Sequence, residues 1–406
     1  MRNLQSPIRT ALAVLVVFVT AGAWTQTTAV VHRLDGRAEP IQFESAQFEA
    51  PDKGVLRGRA AGRSVEFPSG EIWQIEFGVE PVPRGSTEHL WLNDGSRLSG
   101  QLVRWVASQR AVVWTDLFRT IELFDDAILG LTHGSPPPSR LPDAVAGSDA
   151  LYTADGDRMT GRLLRIEEGD VAFRSELGNI TCPRQKVNAL VLKPKSDVQT
   201  PQSAFRIPHS EASWVLEFAN GDRVWARSWA IESGRLRCAV GGGTPTAPST
   251  LLRRAILLGP RVEAFSKIEP QYFAMRPVLA GTKAILVDRG PENCPLRLAE
   301  RDYLFGLFLR PEAEMDYALS DDAQWLLADV GMSSELSPNL GTARVAFAVG
   351  DAAWKTYDLR HDAPPVAVAI DLRASKRLRI RVERADPWAI GAQVIFGEPV
   401  LVNKPK

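Results

Sequence analysis

Leu90-Trp91-Leu92-Asn93-Asp94-Gly95-Ser96-Arg97-Leu98-Ser99-Gly100-Gln101-Leu102 is a pair of apolar-polar alternations hinged on an Asp-Gly dipeptide. A period of two places alternate side chains on opposite faces of a strand. Asp-Gly between two such runs supplies adjacent residues that accept positive φ, as a two-residue type I′ hairpin turn requires. The stretch predicts a β-hairpin.

The pattern recurs. Asp35-Gly36, Asp155-Gly156 and Asn220-Gly221 occupy the same setting, spaced roughly 60 residues from one copy to the next. Leu151-Tyr152 leads into the third turn, and Arg158-Met159-Thr160-Gly161-Arg162-Leu163 follows it. Residues 214–218 lead into the fourth, which Arg223-Val224-Trp225 follows. The first copy is the most eroded, its turn running into Arg37-Ala38-Glu39-Pro40. A short apolar strand closes each copy: Ile72-Trp73-Gln74-Ile75, Ala127-Ile128-Leu129-Gly130-Leu131, Val187-Asn188-Ala189-Leu190-Val191-Leu192 and Ala255-Ile256-Leu257-Leu258. Pro-, Gly- and Ser-rich joints lie at 80–88, 134–148 and 193–210; they lack the apolar surface to order themselves. The expected units are 30–79, 88–133, 149–194 and 212–262. Each is the size of a small SH3-like or Sm-like barrel of about five strands, too small to be stable without neighbours. The alternative is one larger sheet shared by successive units.

The 406 residues exceed what one ordinary core accommodates, so several domains are expected. With 45% hydrophobic and 24% charged residues, the composition is that of a globular protein. Lys+Arg and Asp+Glu are both 48, which leaves no basic excess for a nucleic acid; no nucleic-acid partner is expected. Arg2 and Arg9 precede an apolar run, 11–19, and Ala21 and Ala23 follow. That is the layout of a secretory signal peptide, residues 1–23, cleaved after Ala23, and the run is too short for a stable membrane span. A secreted, periplasmic or cell-envelope location follows as an expectation. Three cysteines, Cys182, Cys238 and Cys294, are too few and too scattered for a disulfide framework. A single bridge among them stays open; small buried hydrophobes are the plainer reading.

From residue 263 the texture changes. Alternating runs at 304–309, 325–330, 343–349, 366–370, 378–382 and 392–396 point to an antiparallel sandwich or jelly roll over 263–403. The fold class expected for the chain is therefore all-β: repeated barrel units, then a sandwich. An ordered series of segments supports this: Phe265-Ser266-Lys267-Ile268-Glu269-Pro270, Cys294-Pro295-Leu296-Arg297-Leu298, Tyr303-Leu304-Phe305-Gly306-Leu307, Met315-Asp316-Tyr317-Ala318-Leu319, Ala328-Asp329-Val330-Gly331, Val345-Ala346-Phe347-Ala348-Val349 with Trp354, Ser375-Lys376-Arg377-Leu378-Arg379-Ile380 and Trp388. The series resembles the NPCBM/NEW2 module, a carbohydrate-binding module also found beside family 98 glycosyl hydrolases. The resemblance implies a β-sandwich and sugar binding. It also has gaps. Arg310-Pro311 stands where the family carries His-Ser, and Ser333-Ser334 where it carries Asp-Asp. The acidic residue after the closing tryptophan falls near Ile390-Gly391. The framework is kept while polar positions are lost, as in a degenerate copy.

A pyranose offers an apolar face and a rim of hydroxyls, so its site needs an aromatic platform with planar polar groups. Trp388, after Asp386-Pro387 in a loop-like setting, is the candidate platform, with Asp386 and Arg310 as polar partners. Trp325 and Trp354, inside apolar strands, read as core, as do the seven tryptophans of the repeats. No HExxH, GxSxG, GxGxxG or Walker A pattern occurs, and His32, His89, His133, His209 and His361 stand apart. Asp125-Asp126, Glu167-Glu168 and Asp321-Asp322 are neighbours that a strand would point to opposite faces. No catalytic residue, metal or cofactor is expected. The leading functional expectation is a non-catalytic, exported carbohydrate-binding protein whose partner is a glycan. A cell-envelope scaffold with protein partners is the alternative, and a remote glycoside hydrolase the third.

Overall fold

The computed structural model describes residues 28–405 except 83–86, 107–108, 110, 135–140, 143–144, 146, 168, 194–211, 277–284, 292–293, 335–341 and 387–391. The expected signal segment lies outside the described residues. The chain is all-β, as its alternation predicts.

Four repeats share one topology. Repeat 1 is built from Thr28–Arg33, Ala38–Ala50, Lys53–Ala60, Arg63–Pro68 and Ile72–Phe77. Repeat 2 has Glu88–Leu92, Arg97–Val106, Ala111–Thr115, Arg119–Leu123 and Ile128–His133, and repeat 3 has Asp149–Thr153, Arg158–Glu167, Asp170–Ser175, Gly178–Pro183 and Val187–Val191. In repeat 4 the strands are Ser213–Phe218, a second strand broken into Arg223–Ala226 and Trp229–Glu232, then Arg235–Cys238, Thr246–Pro248 and Leu252–Leu258. In every repeat the last strand returns antiparallel to the first, which gives the small-barrel order 4-3-2-1-5. A 3-10 turn makes that return: Ser69–Glu71, Asp125–Ala127, Arg184–Lys186 and Ser249–Leu251. Pro68, Pro183 and Pro248 precede three of these turns, where a fixed φ and a missing N–H end the fourth strand.

The Asx-Gly turns differ from the type I′ form. Only the glycines, Gly36, Gly95, Gly156 and Gly221, take positive φ (79–94°); the Asx residues do not. Leu92 and Ser96 pair across the turn, as do Thr153 and Asp157, so each loop holds three residues. This is a type I turn closed by a left-handed glycine, the other common hairpin solution. The Asx side-chain oxygen explains the choice: Asp94 Oδ1 accepts from the Ser96 amide at 2.7 Å and Asn220 Oδ1 from the Asp222 amide at 3.1 Å, which holds the residue in its own turn.

The repeats do not associate in chain order. Repeat 1 joins repeat 4 through their last strands (Ile75↔Ala255) and their second strands (Gln47↔Ala230). Repeats 2 and 3 join the same way (Leu131↔Leu190, Trp105↔Ile166). A third contact links repeats 2 and 4 at Arg97↔Arg223. The result is one 21-stranded sheet system over a continuous core, so successive units neither stand as separate beads nor share a sheet in simple series. Phe48 of repeat 1 stacks on Trp214 and Trp229 of repeat 4, both at 4.7 Å between ring centroids. Trp73, Trp91, Trp105, Trp214, Trp225 and Trp229 are all buried. Joining pairs of repeats covers apolar faces that a unit of this size cannot bury alone.

The chain then enters a two-sheet sandwich. One sheet has Ile285–Val287, Gly306–Leu309, Val394–Asn403, Ala323–Met332 and Val366–Asp371, with Val262–Ala264 also on Val394–Asn403. The other has Tyr272–Met275, Ala313–Ala318, Arg377–Arg384, Thr342–Val349 and Lys355–Arg360. Phe265, Met315, Tyr317, Phe347 and Phe396 fill the space between them. Leu327, Val400 and Val402 face the other way and join the core of the repeats. Cys182, Cys238 and Cys294 are all free thiols, and burial pushes Cys238 up to about 12.

Candidate functional site

Strand direction gathers several loops at one end of the sandwich. Leu309 pairs Val394, Met332 pairs Val394 on the other side, and Ala343 pairs Arg384. The segments beyond them, Arg310 to Glu312, Ser333-Ser334, His361-Asp362, Ala385-Asp386 and Gln393, therefore emerge together. Glu312 organises this end. It sits at φ 67°, donates its N–H to Val382 O (2.7 Å), and accepts from Arg276 N on its carbonyl (3.0 Å). Arg384 Nε donates to its carboxylate at 3.0 Å. Among the described residues, three buried polar atoms here have no hydrogen-bond partner: Arg310 Nε, His361 Nε2 and Gln393 Oε1. A buried polar atom without a partner costs about 1–3 kcal/mol unless ligand or solvent satisfies it, and Asp222 Oδ2, Arg223 Nε and Arg301 Nε at the joints are in the same state.

The structure brings Arg310 and Asp386 to this same end, as sequence reasoning paired them. Trp388, the candidate platform, lies outside the described residues, as does Ile390-Gly391. Sequence reasoning missed Gln393 and His361; an amide beside an apolar strand and a solitary histidine carry no local signal. Ser333-Ser334 has taken a packing role. Ser333 N bonds Gln393 O at 2.9 Å, and both the amide and the hydroxyl of Ser334 donate to Arg297 O (3.2 and 3.3 Å). Trp354 is half-buried rather than core, with the Arg379 and Arg381 guanidinium groups 5.1 and 4.3 Å from its ring centroid. Trp325, also half-buried, lies under Arg373 at 5.3 Å. Among the described residues no group of three or more His, Cys, Asp or Glu side chains is placed to hold a metal ion.

A second polar cluster lies where the sandwich meets repeats 1 and 4. Arg254, 3% exposed, is held between Glu217 and Glu398, the latter at 2.8 Å. Arg301 reaches Glu76 (2.7 Å), Glu398 (3.2 Å) and Asp329 (3.3 Å), and Tyr303 donates to Asp329 at 3.0 Å. Leu304 N–H completes the shell on Glu398 at 3.1 Å. Burial alone would raise Glu76, yet His32 at 3.8 Å and the Arg301 guanidinium hold it at about 2. Burial and the neighbouring Asp329 push the Tyr303 hydroxyl far up. Every carboxylate of the cluster is matched by a cation, which makes it a joint rather than an acid/base site.

One part of the chain matches a known family model. Residues 274–401 match the NPCBM/NEW2 domain. No curated protein matches the chain. Among solved structures, the CBM51-2 and INT domains of Clostridium perfringens ZmpB are similar at 15% identity and TM-score 0.32, over 43% of this chain and 37% of that one. The same protein's CBM51-2 and INT domains with GlcNAc give 14% identity and TM-score 0.32, over 44% of each. The chain thus spans less than half the length of these first two. The CBM51 of Clostridium perfringens GH95 with methyl-galactose is 16% identical at TM-score 0.31, over 35% of this chain and 99% of that one. The NPCBM/NEW2 match begins after the strand Val262–Ala264 and ends within Val394–Asn403, so both loop-end candidates, Arg310 and Asp386, fall inside it.

Proposed function

We propose that the chain is a non-catalytic, exported carbohydrate-binding protein that recognises a glycan at the loop end of its NPCBM/NEW2 domain. The observation that carries this reading is the convergence of Arg310, Asp386, His361 and Gln393 there, with three unsatisfied buried polar atoms. A planar guanidinium, a carboxylate and an amide match the donor and acceptor rim of a sugar ring. Trp388 supplies the apolar face in this reading. A glycan array probed with the full-length protein tests it: binding to a defined glycan, lost in Arg310→Ala and Trp388→Ala with an unchanged melting temperature, supports the site. Silence across plant, algal and animal glycans favours the second reading, an envelope scaffold with a degenerate domain. The packing role of Ser334 speaks for that alternative. Export rests on residues 1–23; a mature N-terminus other than residue 24 by mass spectrometry would remove the predicted cleavage.

A further inference from the structure

Each repeat carries the same piece of open strand edge: the residues just after its Asx-Gly turn, which pair with the first strand on one side only. In repeats 2 and 4 another part of the molecule covers it. Repeats 2 and 4 cover each other through a reciprocal contact. Ser99 N donates to Asp222 Oδ1 at 2.7 Å, and Trp225 N donates to Ser96 Oγ at 2.9 Å. Ser96 and Asp222 hold the same position after the turn, and Ser99 and Trp225 the same position three residues later. Arg97 Nη2 also donates to Gly221 O at 3.1 Å. Ser96, Ser99, Asp222, Val224 and Trp225 are consequently buried. In repeat 1 only the turn glycine approaches the sandwich, where a Cβ on Gly36 would lie 3.0 Å from Ala369 Cβ, and Arg37, Ala38 and Pro40 stay exposed.

Among the described residues the copy in repeat 3 is bare as well, and unlike that of repeat 1 it keeps its polar residues. Among the described residues, Arg158 to Thr160 of repeat 3 pair only with Asp149–Thr153, because pairing with Asp170–Ser175 begins at Gly161. Asp157 and Arg158 are exposed, and a Cβ on Gly156 would meet nothing within 4 Å. We propose that this edge docks on the same edge of a second copy of the chain, in the reciprocal arrangement that repeats 2 and 4 use internally. Repeat 3 keeps what that arrangement needs. Asp157 stands at the acceptor position of Ser96 and Asp222, Thr160 at the amide-donor position of Ser99 and Trp225, and Arg158 at that of Arg97. Repeat 1, whose turn glycine approaches the sandwich, has lost them to Arg37-Ala38-Glu39-Pro40. A twofold contact is self-complementary: Asp157 of each copy accepts from Thr160 N–H of the other, and each Arg158 meets a turn carbonyl. Strand edges left open invite such pairing. An edge of three residues makes a weak, concentration-dependent dimer rather than an obligate one.

Sedimentation equilibrium of the full-length protein, up to its solubility limit, tests this. The expected result is a reversible monomer–dimer equilibrium that Asp157→Lys weakens by at least about tenfold, since two symmetry-related charge-assisted bonds vanish together. Arg158→Glu is the second variant, and Asp362→Lys, at an exposed site of the sandwich, is the control that leaves dimerisation unchanged. Amide exchange at Thr160 should slow as concentration rises. A monomer at every concentration overturns the proposal, whether its Thr160 amide exchanges freely or is already protected by residues 194–211. So does a dimer indifferent to both variants.

Discussion

The joints among the repeats and the loop end of the sandwich both concentrate polar residues, and they differ in how their charges are paired. Inside the repeats Glu88 is gripped by Arg184 and by the Leu102 amide, the last at 2.9 Å, all buried across the contact of repeats 2 and 3. At the junction with the sandwich every carboxylate of the Arg254–Arg301 cluster has a cation beside it. At the loop end, Arg310, His361 and Gln393 bury polar atoms that nothing among the described residues answers. Paired charges hold parts of a protein together, whereas Arg310, which has no carboxylate beside it among the described residues, is free to meet a partner.

Four measurements can break or sharpen that contrast. The largest effect belongs to Glu398→Ala, which removes the carboxylate shared by Arg254 and Arg301 and leaves the buried Leu304 N–H without its acceptor; it should cost about 3 kcal/mol by chemical denaturation, Glu217, Glu76 and Asp329 still facing the two arginines. Equal loss in Arg310→Ala would erase the distinction. Next comes Gly161→Ala, whose Cβ would lie 2.0 Å from Arg174 O; a loss of about 1–3 kcal/mol is expected, where an open position such as Gly156 escapes the clash but keeps its positive-φ strain. A smaller effect depends on pH. Burial pushes Asp222 up to about 6 against a usual 3.8, with the bond from Ser99 opposing it. Its folded value is raised, so its contribution is fully present below about pH 3.8 and lost as pH rises through about 6. Between pH 7.5 and 5 the wild type should gain on the order of 1 kcal/mol over Asp222→Asn, read from paired melting curves. The smallest effect is expected for Arg310→Ala, within about 0.5 kcal/mol of wild type, since a side chain kept for a ligand contributes little to the unliganded fold. Its loss should appear in glycan binding instead.

The repeats were legible because their signal is local. Alternation and an Asx-Gly pair announce a hairpin in a dozen residues, and the same text four times announces four hairpins. The turn type was not legible, because one dipeptide serves both a two-residue and a three-residue loop, and the choice lies in where the Asx side-chain oxygen bonds. Part of the proposed loop-end site was nameable in the sequence. Arg310 stood out against a family pattern and Asp386 by its place just before Trp388, whereas Gln393 and His361 acquire meaning only from the strands that carry them to the same place.

Sequence alone determined the strands, the fourfold repetition and the sandwich, since each follows from side-chain period and turn chemistry within a short window. Only the tertiary structure decided that repeat 1 joins repeat 4 and repeat 2 joins repeat 3. Which barrel face meets which depends on apolar surfaces and paired charges far apart in the chain, such as Phe48 with Trp214 and Glu88 with Arg184, and no local pattern encodes that distance.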